Sequence, residues 1–351
     1  MQNKNISEID SNFAVKPISA DNGVCWYNIE DKPFNIFGVF KENGCFRRMP
    51  EKIAETVSEG VYALHTNTAG GRVRFKTNSR FICIKADMPG IGKMPHFALT
   101  GSAGFDLYGN ADGEKYVSSF VPPFNISNGY ESRIETGDVG TAEYTVNFPL
   151  YSSVSRLLIG LEEGAQLSAP QPYKTALPVV YYGSSITQGG CASRPGNSYQ
   201  SRVSRKLGCD YINLGFSGNA KGERVIAEYI SKLDMSAFVF DYDHNAPDPA
   251  HLRKTHKPFF EIIRAADPEL PIIIMSRPKY RLNSDEQERL TIIEETYNSA
   301  VAAGDKNVYL LRGSELMRIA EFDGTVDNCH PNDLGFYSMA AALTDLLEKI
   351  I

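Results

Sequence analysis

Ser185 stands in a glycine turn, Tyr181-Tyr182-Gly183-Ser184-Ser185-Ile186-Thr187-Gln188-Gly189, directly after the apolar run Leu177 to Tyr182. A run of that kind reads as a buried strand, and the glycines permit a reversal that a bulky residue would block. A serine on a strand-to-helix turn is presented at the carboxyl end of its strand, where open α/β sheets hold their ligands. Its hydroxyl is a poor nucleophile until a base takes its proton. Near the far end of the chain, Asp327-Asn328-Cys329-His330-Pro331-Asn332 sets a carboxylate three residues before an imidazole. Histidine titrates close to neutrality, and an acidic neighbour fixes its tautomer and stabilises the imidazolium. Ser185, His330 and Asp327 are thus candidates for nucleophile, base and orienting acid. Each segment alone is more often plain loop structure.

Acyl transfer also needs donors aimed at the oxyanion of the tetrahedral intermediate. Two segments between these ends offer them. Asn213-Leu214-Gly215-Phe216-Ser217-Gly218-Asn219 follows a second apolar run, and Asp241-Tyr242-Asp243-His244-Asn245-Ala246-Pro247 follows a third. Gly218 allows a close backbone approach, and Asn245 carries an NH2 group. A turn glycine and a loop asparagine are the plainer readings. His244, next to Asn245, and Arg194, in the loop after Ser185, are candidates for substrate contact.

The order serine, glycine, asparagine, then Asp-x-x-His resembles the SGNH hydrolases, the GDSL-type esterases and acylhydrolases. The resemblance places the nucleophile on Ser185, the acid and base on Asp327 and His330, and the oxyanion hole on the Ser185 N–H, Gly218 and Asn245. Two blocks depart from the family pattern. Ser184 stands where Gly-Asp-Ser would put aspartate, and Asp243-His244-Asn245-Ala246 replaces Gly-x-Asn-Asp.

Positioning these groups requires strands that end together. From Leu177 onward, strand candidates at 178–183, 211–216, 237–243, 271–276 and 307–312 alternate with helical spacings. Val225, Ile226, Tyr229, Ile230 and Leu233 form one such spacing, and Gly208 reads as a helix stop. Strand–helix repetition predicts a parallel sheet covered on both faces. The resemblance implies a three-layer α/β/α, flavodoxin-like domain with five parallel strands, over 171–351.

The first 170 residues lack that rhythm. Short strand candidates lie at 34–40, 61–66, 72–76, 81–86, 97–101, 114–121, 141–150 and 155–162, separated by turn residues. This pattern predicts an all-β sandwich, jelly-roll-like, over 1–170. Gly104-Phe105-Asp106-Leu107-Tyr108 resembles the Gly-x-Asp-Leu-Tyr signature of a β domain that precedes SGNH domains, and Phe46-Arg47-Arg48-Met49-Pro50 resembles a second part of it. A linker rich in Pro, Ala and Gln is expected from Ala165 to Ala176.

The chain has 351 residues, 42% hydrophobic, enough for two ordinary cores. A formal net charge of −6 without a basic run argues against a nucleic-acid partner. Strand-length apolar stretches imply no membrane span, and the polar opening, Met1 to Ala14, leads us to expect a cytoplasmic protein. Six scattered cysteines indicate neither a disulfide framework nor a zinc knuckle, and Cys329 beside His330 reads as incidental. Neither a cofactor nor a metal is expected. His251 and His256 read as surface or supporting residues, and Trp26 as packing or a sugar platform.

The expected function is two-step hydrolysis of an acyl ester, and the resemblance implies an acetyl ester on a carbohydrate or oligosaccharide. A broad short-chain esterase or lysophospholipase-type acylhydrolase is the alternative. A carbohydrate-binding protein without catalysis is the alternative of another class. The expected partner is a small-molecule or oligosaccharide ester, with self-association left open.

Overall fold

The computed structural model describes residues 6–10, 23–110, 114–138 and 140–351. The opening stretch 1–14, read above as lacking an apolar leader core, lies mostly outside the described residues. Two large antiparallel sheets make up the first half, beside a two-stranded one, Phe40–Glu42 with Cys45–Arg47. One runs Val24–Asn28, Arg156–Glu162, Phe81–Asp87, Gly129–Glu135 in spatial order. The other runs Leu167–Ser168, Arg72–Thr77, Ala142–Asn147, Phe105–Asn110, Lys115–Phe120, with Asn35–Phe37 also paired to Arg72–Thr77. The alternating residues Val73, Phe75, Ile82, Ile84, Tyr144, Val146, Leu157, Ile159 and Leu161 fill the space between them. That is the sandwich expected from period-2 patterning.

Two of the expected strands are helical. Residues 61–66 fall on the helix Glu59–Leu64, because the Ser58 side chain caps it by accepting from the Val61 N–H at 3.1 Å. Val61 then buries itself against the α/β half, so capping and burial outweigh the β-branched preference. Residues 97–101 contribute to a helical turn, Leu99–Ser102, whose Gly101 abuts the Ala192 carbonyl. The expected linker is pinned down in part. Leu167 and Ser168 pair with Thr77 and Lys76, and the Tyr173 hydroxyl accepts from Arg72 Nε at 2.8 Å.

The second half is a five-stranded parallel sheet. Its strands are β1 (Val179–Gly183), β2 (Tyr211–Gly215), β3 (Ala237–Asp241), β4 (Ile272–Met275) and β5 (Val308–Leu311), in the order 2-1-3-4-5. The helices are α1 (Ser185–Gln188), α2 (Tyr199–Leu207), α3 (Arg224–Ile230), α4 (Pro249–Ala266), α5 (Ser284–Ala302), α6 (Gly313–Leu316) and α7 (Asp333–Leu347). Alternate residues of each strand enter opposite cores: Val179 and Tyr181 pack on the side of α2 and α7, Val180 and Tyr182 on the side of α3, α4 and α5. Gly208 closes α2 at φ 70°, as the stop signal required. The strand order reverses direction between β1 and β3, and open sheets of this kind bind ligands at that switch point. Among the described residues, no helix is long and apolar enough to cross a membrane.

The two halves interlock through the signature segments. Asp106, wholly buried, accepts from the Gly196 N–H at 2.7 Å and from Asn147 Nδ2 at 2.8 Å. The Tyr108 ring closes over Gly196 and lies 4.0 Å from the Arg205 guanidinium. Arg48 donates to the carbonyls of Asn213 and Gly215 at the end of β2, at 3.1 and 2.6 Å, and to those of Leu64 and Asn67. A buried guanidinium persists only where such acceptors saturate it.

Candidate active site

The turn after β1 is built by close approaches. A side chain on Gly183 would strike the Thr187 hydroxyl and the Asp241 carbonyl, so glycine is obligatory there. Ser184 caps α1, its Oγ accepting from the Ile186 N–H at 3.2 Å. This explains why a serine serves at that position, and it frees Ser185 to point at the chain's far end. Ser185 Oγ lies 2.9 Å from His330 Nε2. His330 Nδ1 lies 2.7 Å from Asp327 Oδ2. An ionised carboxylate only accepts, so the ring proton sits on Nδ1 and leaves Nε2 to accept from the serine.

The Asp327 loop is rigid for local reasons. Asp327 Oδ1 accepts from the backbone N–H groups of Cys329 and His330 at 3.1 and 2.7 Å, and Asn328 between them takes a left-handed φ of 64°. Burial works to raise the Asp327 carboxyl, but the bonds from the His330 ring and the backbone outweigh it and hold it at about 2. It is ionised throughout the neutral range.

The loop after β2 carries Gly218 at φ 69°, a conformation that favours glycine. It is braced underneath by tyrosines: the Tyr182 hydroxyl accepts from the Gly222 N–H at 3.0 Å, and the Tyr242 hydroxyl donates to the Lys221 carbonyl at 2.8 Å. Asn245 Oδ1 accepts from the Ala220 N–H at 3.3 Å, which commits the amide oxygen and leaves the NH2 as donor. Among the described residues, no protein acceptor takes the N–H of Ser185 or of Gly218. Gln188, buried in α1, ties these parts together. Its Oε1 accepts from the Ser217 N–H at 3.0 Å, and its Nε2 donates to Asn67 Oδ1 at 3.1 Å in the β domain.

Charged residues behind the site were not legible in the sequence. Asp243 is buried in a pair with Arg277, with contacts of 2.9 and 3.0 Å, and Arg277 reaches on to Glu286 at 3.1 Å. Arg289 donates to the carbonyls of Asp243 and Ala246, fixing the backbone on both sides of Asn245. Asp241 lies under the nucleophile turn, accepting from Thr187 Oγ1 at 2.8 Å and the Tyr199 hydroxyl at 3.0 Å. Burial pushes its carboxyl up to about 7.

Two candidates for substrate contact have protein partners. His244 Nδ1 stands 3.7 Å from Cys329 Sγ, and burial pulls its imidazole down to about 4. The Arg194 guanidinium lies 3.9 Å over the Tyr116 ring, 3.3 Å from the Tyr108 hydroxyl and 3.8 Å from Asp106. These contacts place it at the junction between the two halves. His256 is a core residue, stacked on Phe240 at 4.6 Å and bonded to Thr296. His251 bonds the Lys221 carbonyl, and Trp26 packs over Gly160.

The β domain supplies a further residue that no motif announced. His96 approaches the dyad, its ring centroid 5.8 Å from that of His330 and its Nε2 3.9 Å from Asp327 Oδ2. The Tyr151 hydroxyl donates to the Ser185 carbonyl at 3.2 Å.

Residues 176–348 match the model of the GDSL-like lipase/acylhydrolase family, and residues 24–167 match that of the GxDLY amino-terminal domain of SGNH-hydrolase-type esterases. A comparison with curated proteins finds no match. Among solved structures, a GDSL-like lipase from Bacteroides ovatus is 29% identical with a TM-score of 0.82, covering 93% of this chain and 98% of its own. A salicylyl-acyltransferase from a tetracycline biosynthetic pathway is 17% identical with a TM-score of 0.74, covering 93% and 97%. An acetyl xylan esterase from the rumen bacterium Butyrivibrio proteoclasticus is 13% identical with a TM-score of 0.60, covering 93% and 98%. The last two share the fold. The chain belongs to the GDSL-like lipase/acylhydrolase (SGNH) family of ester hydrolases, with a GxDLY-type β domain at its amino-terminal side.

Proposed function

We propose that the protein removes acetyl groups from carbohydrate or oligosaccharide esters through a Ser185–His330–Asp327 triad. The observation that carries this reading is the unbroken line of contacts, 2.9 Å from Ser185 Oγ to His330 and 2.7 Å from His330 to Asp327. His330 Nε2 takes the serine proton as Oγ attacks the ester carbonyl. The N–H groups of Ser185 and Gly218 and the Asn245 amide receive the oxyanion, and Asp327 stabilises the imidazolium. His330 then returns the proton to the departing alcohol, which leaves an acyl-serine. Water, deprotonated by the same nitrogen, attacks that ester and releases the carboxylic acid.

The loops after the strands, Gly190 to Asn197, Gly218 to Glu223 and His244 to Asp248, are mostly small and polar. They suit a short acyl group on a polar alcohol better than a long apolar chain. One solved protein of the same fold is an acetyl xylan esterase, which makes an acetylated sugar the first substrate to test. Ser185→Ala should abolish p-nitrophenyl acetate hydrolysis while the far-ultraviolet circular dichroism is unchanged. Retained hydrolysis would sink the triad. Acetate release from acetylated xylo-, manno- and pectic oligosaccharides, run beside esters of increasing chain length, tests the substrate. Preference for long-chain esters over every acetylated sugar would overturn that part alone.

A further inference from the structure

His96, Cys191 and His330 each place one donor atom, a ring nitrogen or Sγ, so that all three lie within 4.8 Å of one another. Only His330 belongs to the proposed triad. Cys191 follows the Gly189-Gly190 turn, and a side chain on Gly190 would stand 3.3 Å from His330 Cδ2, so this segment runs along the imidazole. Cys191 holds a left-handed φ of 75°, uncommon for a residue with a side chain. His96 comes from the other domain and is exposed.

We infer that these three side chains form a site for a borderline-soft divalent cation such as Zn2+, and that the cation reversibly shuts off the esterase by capturing its base. Imidazole nitrogen and thiolate sulfur are both ordinary ligands of zinc, and three protein donors leave the fourth position open. An ion centred among donors 4.8 Å apart would stand about 2.8 Å from each, whereas zinc bonds to nitrogen and sulfur are about 2.0–2.3 Å. Closure therefore asks roughly half an ångström of each donor, within the reach of a rotating His96 ring. Water completes the tetrahedron. In the binding step Cys191 gives its proton to solvent as the sulfur–metal bond forms, and both histidines bind through a neutral nitrogen lone pair. No electron changes hands. If His330 binds through Nε2 it loses the serine contact, and if through Nδ1 it loses Asp327; either way it cannot accept the serine proton.

The inhibitory half rests on the proposed triad, and the metal-binding half does not. Titrating the full chain with Co2+ should give a thiolate-to-cobalt charge-transfer band in the near ultraviolet, whether or not an ester is turned over. Buffered free Zn2+ should suppress p-nitrophenyl acetate hydrolysis, with full recovery on adding a chelator. Cys191→Ser should keep the metal-free rate, and both Cys191→Ser and His96→Ala, each scored against its own metal-free rate, should weaken zinc inhibition by roughly 100-fold, since even outer residues of zinc sites cost 10- to 100-fold in affinity. A cobalt band of full strength in Cys191→Ser, or equal zinc sensitivity in both variants and the parent, would overturn the site. Cobalt binding that leaves the esterase rate untouched would overturn the capture of His330.

Discussion

The signature aspartate of the β domain offers a test of how the fold serves the site. Asp106→Ala removes a buried carboxylate that accepts from Gly196 N–H at 2.7 Å and Asn147 Nδ2 at 2.8 Å. Hydrogen bonds to a charged acceptor contribute about 1.5–3 kcal/mol each, so two are worth about 3–6 kcal/mol. Removing the carboxylate also relieves its burial, which pushes the Asp106 carboxyl up from its ordinary value and offsets part of that loss. A net destabilisation of about 2–4 kcal/mol follows, or a drop in melting temperature of roughly 5–15 °C for a domain of this size. The consequence should reach the chemistry. Gly196 belongs to the loop 193–197, where the Ser193 N–H donates to Asp333 at 2.9 Å and Asn197 Nδ2 does so at 2.9 Å. Asp333 opens α7, three residues after His330, so a slackened loop loosens the base. Misplacement by an ångström can cost up to about 100-fold in turnover, and about tenfold is expected here. Asp106→Asn, which keeps the shape and one acceptor, should fall between. Thermal unfolding and p-nitrophenyl acetate turnover would be measured on the same preparations. A melting temperature within about 2 °C of the parent would refute the junction. A large drop with unchanged turnover in the folded protein would refute its link to His330.

Two further outcomes are expected. Asn245→Ala should lower turnover on the order of 100- to 1,000-fold with little change in melting temperature, as loss of one oxyanion donor does; a change under about threefold would remove Asn245 from the oxyanion hole. Asp241 should leave a mark on stability against pH. Its carboxyl is pushed from 3.8 to about 7, so the folded state keeps a proton that the unfolded chain releases, and stability falls as pH rises from about 4 to 7 and then levels. The shift of about 3 pH units sets a ceiling of roughly 4 kcal/mol on that decline. Asp241→Asn should flatten it, and denaturant midpoints at pH 4 and pH 8 that differ equally in both proteins would show the reasoning wrong.

How much of the protein was legible depended on how local its causes are. The five parallel strands were readable because each is a continuous apolar run closed by a turn, and their observed bounds differ from the expected ones by one or two residues, such as 211–215 for 211–216. The sandwich strands 81–86 and 155–162 were readable from turns and short apolar patterning. Residues 61–66 misled because Val61 and Tyr62 favour strands, while the Ser58 cap and burial against the other domain made a helix. Among site residues, Ser185, Gly218, Asn245, Asp327 and His330 stood out because they lie at element ends, where glycine, serine and asparagine have positional meaning.

The sequence by itself determined the order of the strands and helices in the second half, the turn that presents Ser185 and the short loop that joins Asp327 to His330. These follow from backbone sterics and from bonds that span a few residues. Tertiary structure alone decided what lies 60 or more residues away along the chain: Asp106 on Gly196, Arg48 on the carbonyls of β2, Gln188 on Asn67, and His96 beside His330. Such contacts leave no period and no spacing to read, because each pairs one residue with a partner that only the folded sheet brings near. Ser185 and His330 are themselves 145 positions apart, and their 2.9 Å contact exists only because one strand end and one helix start converge.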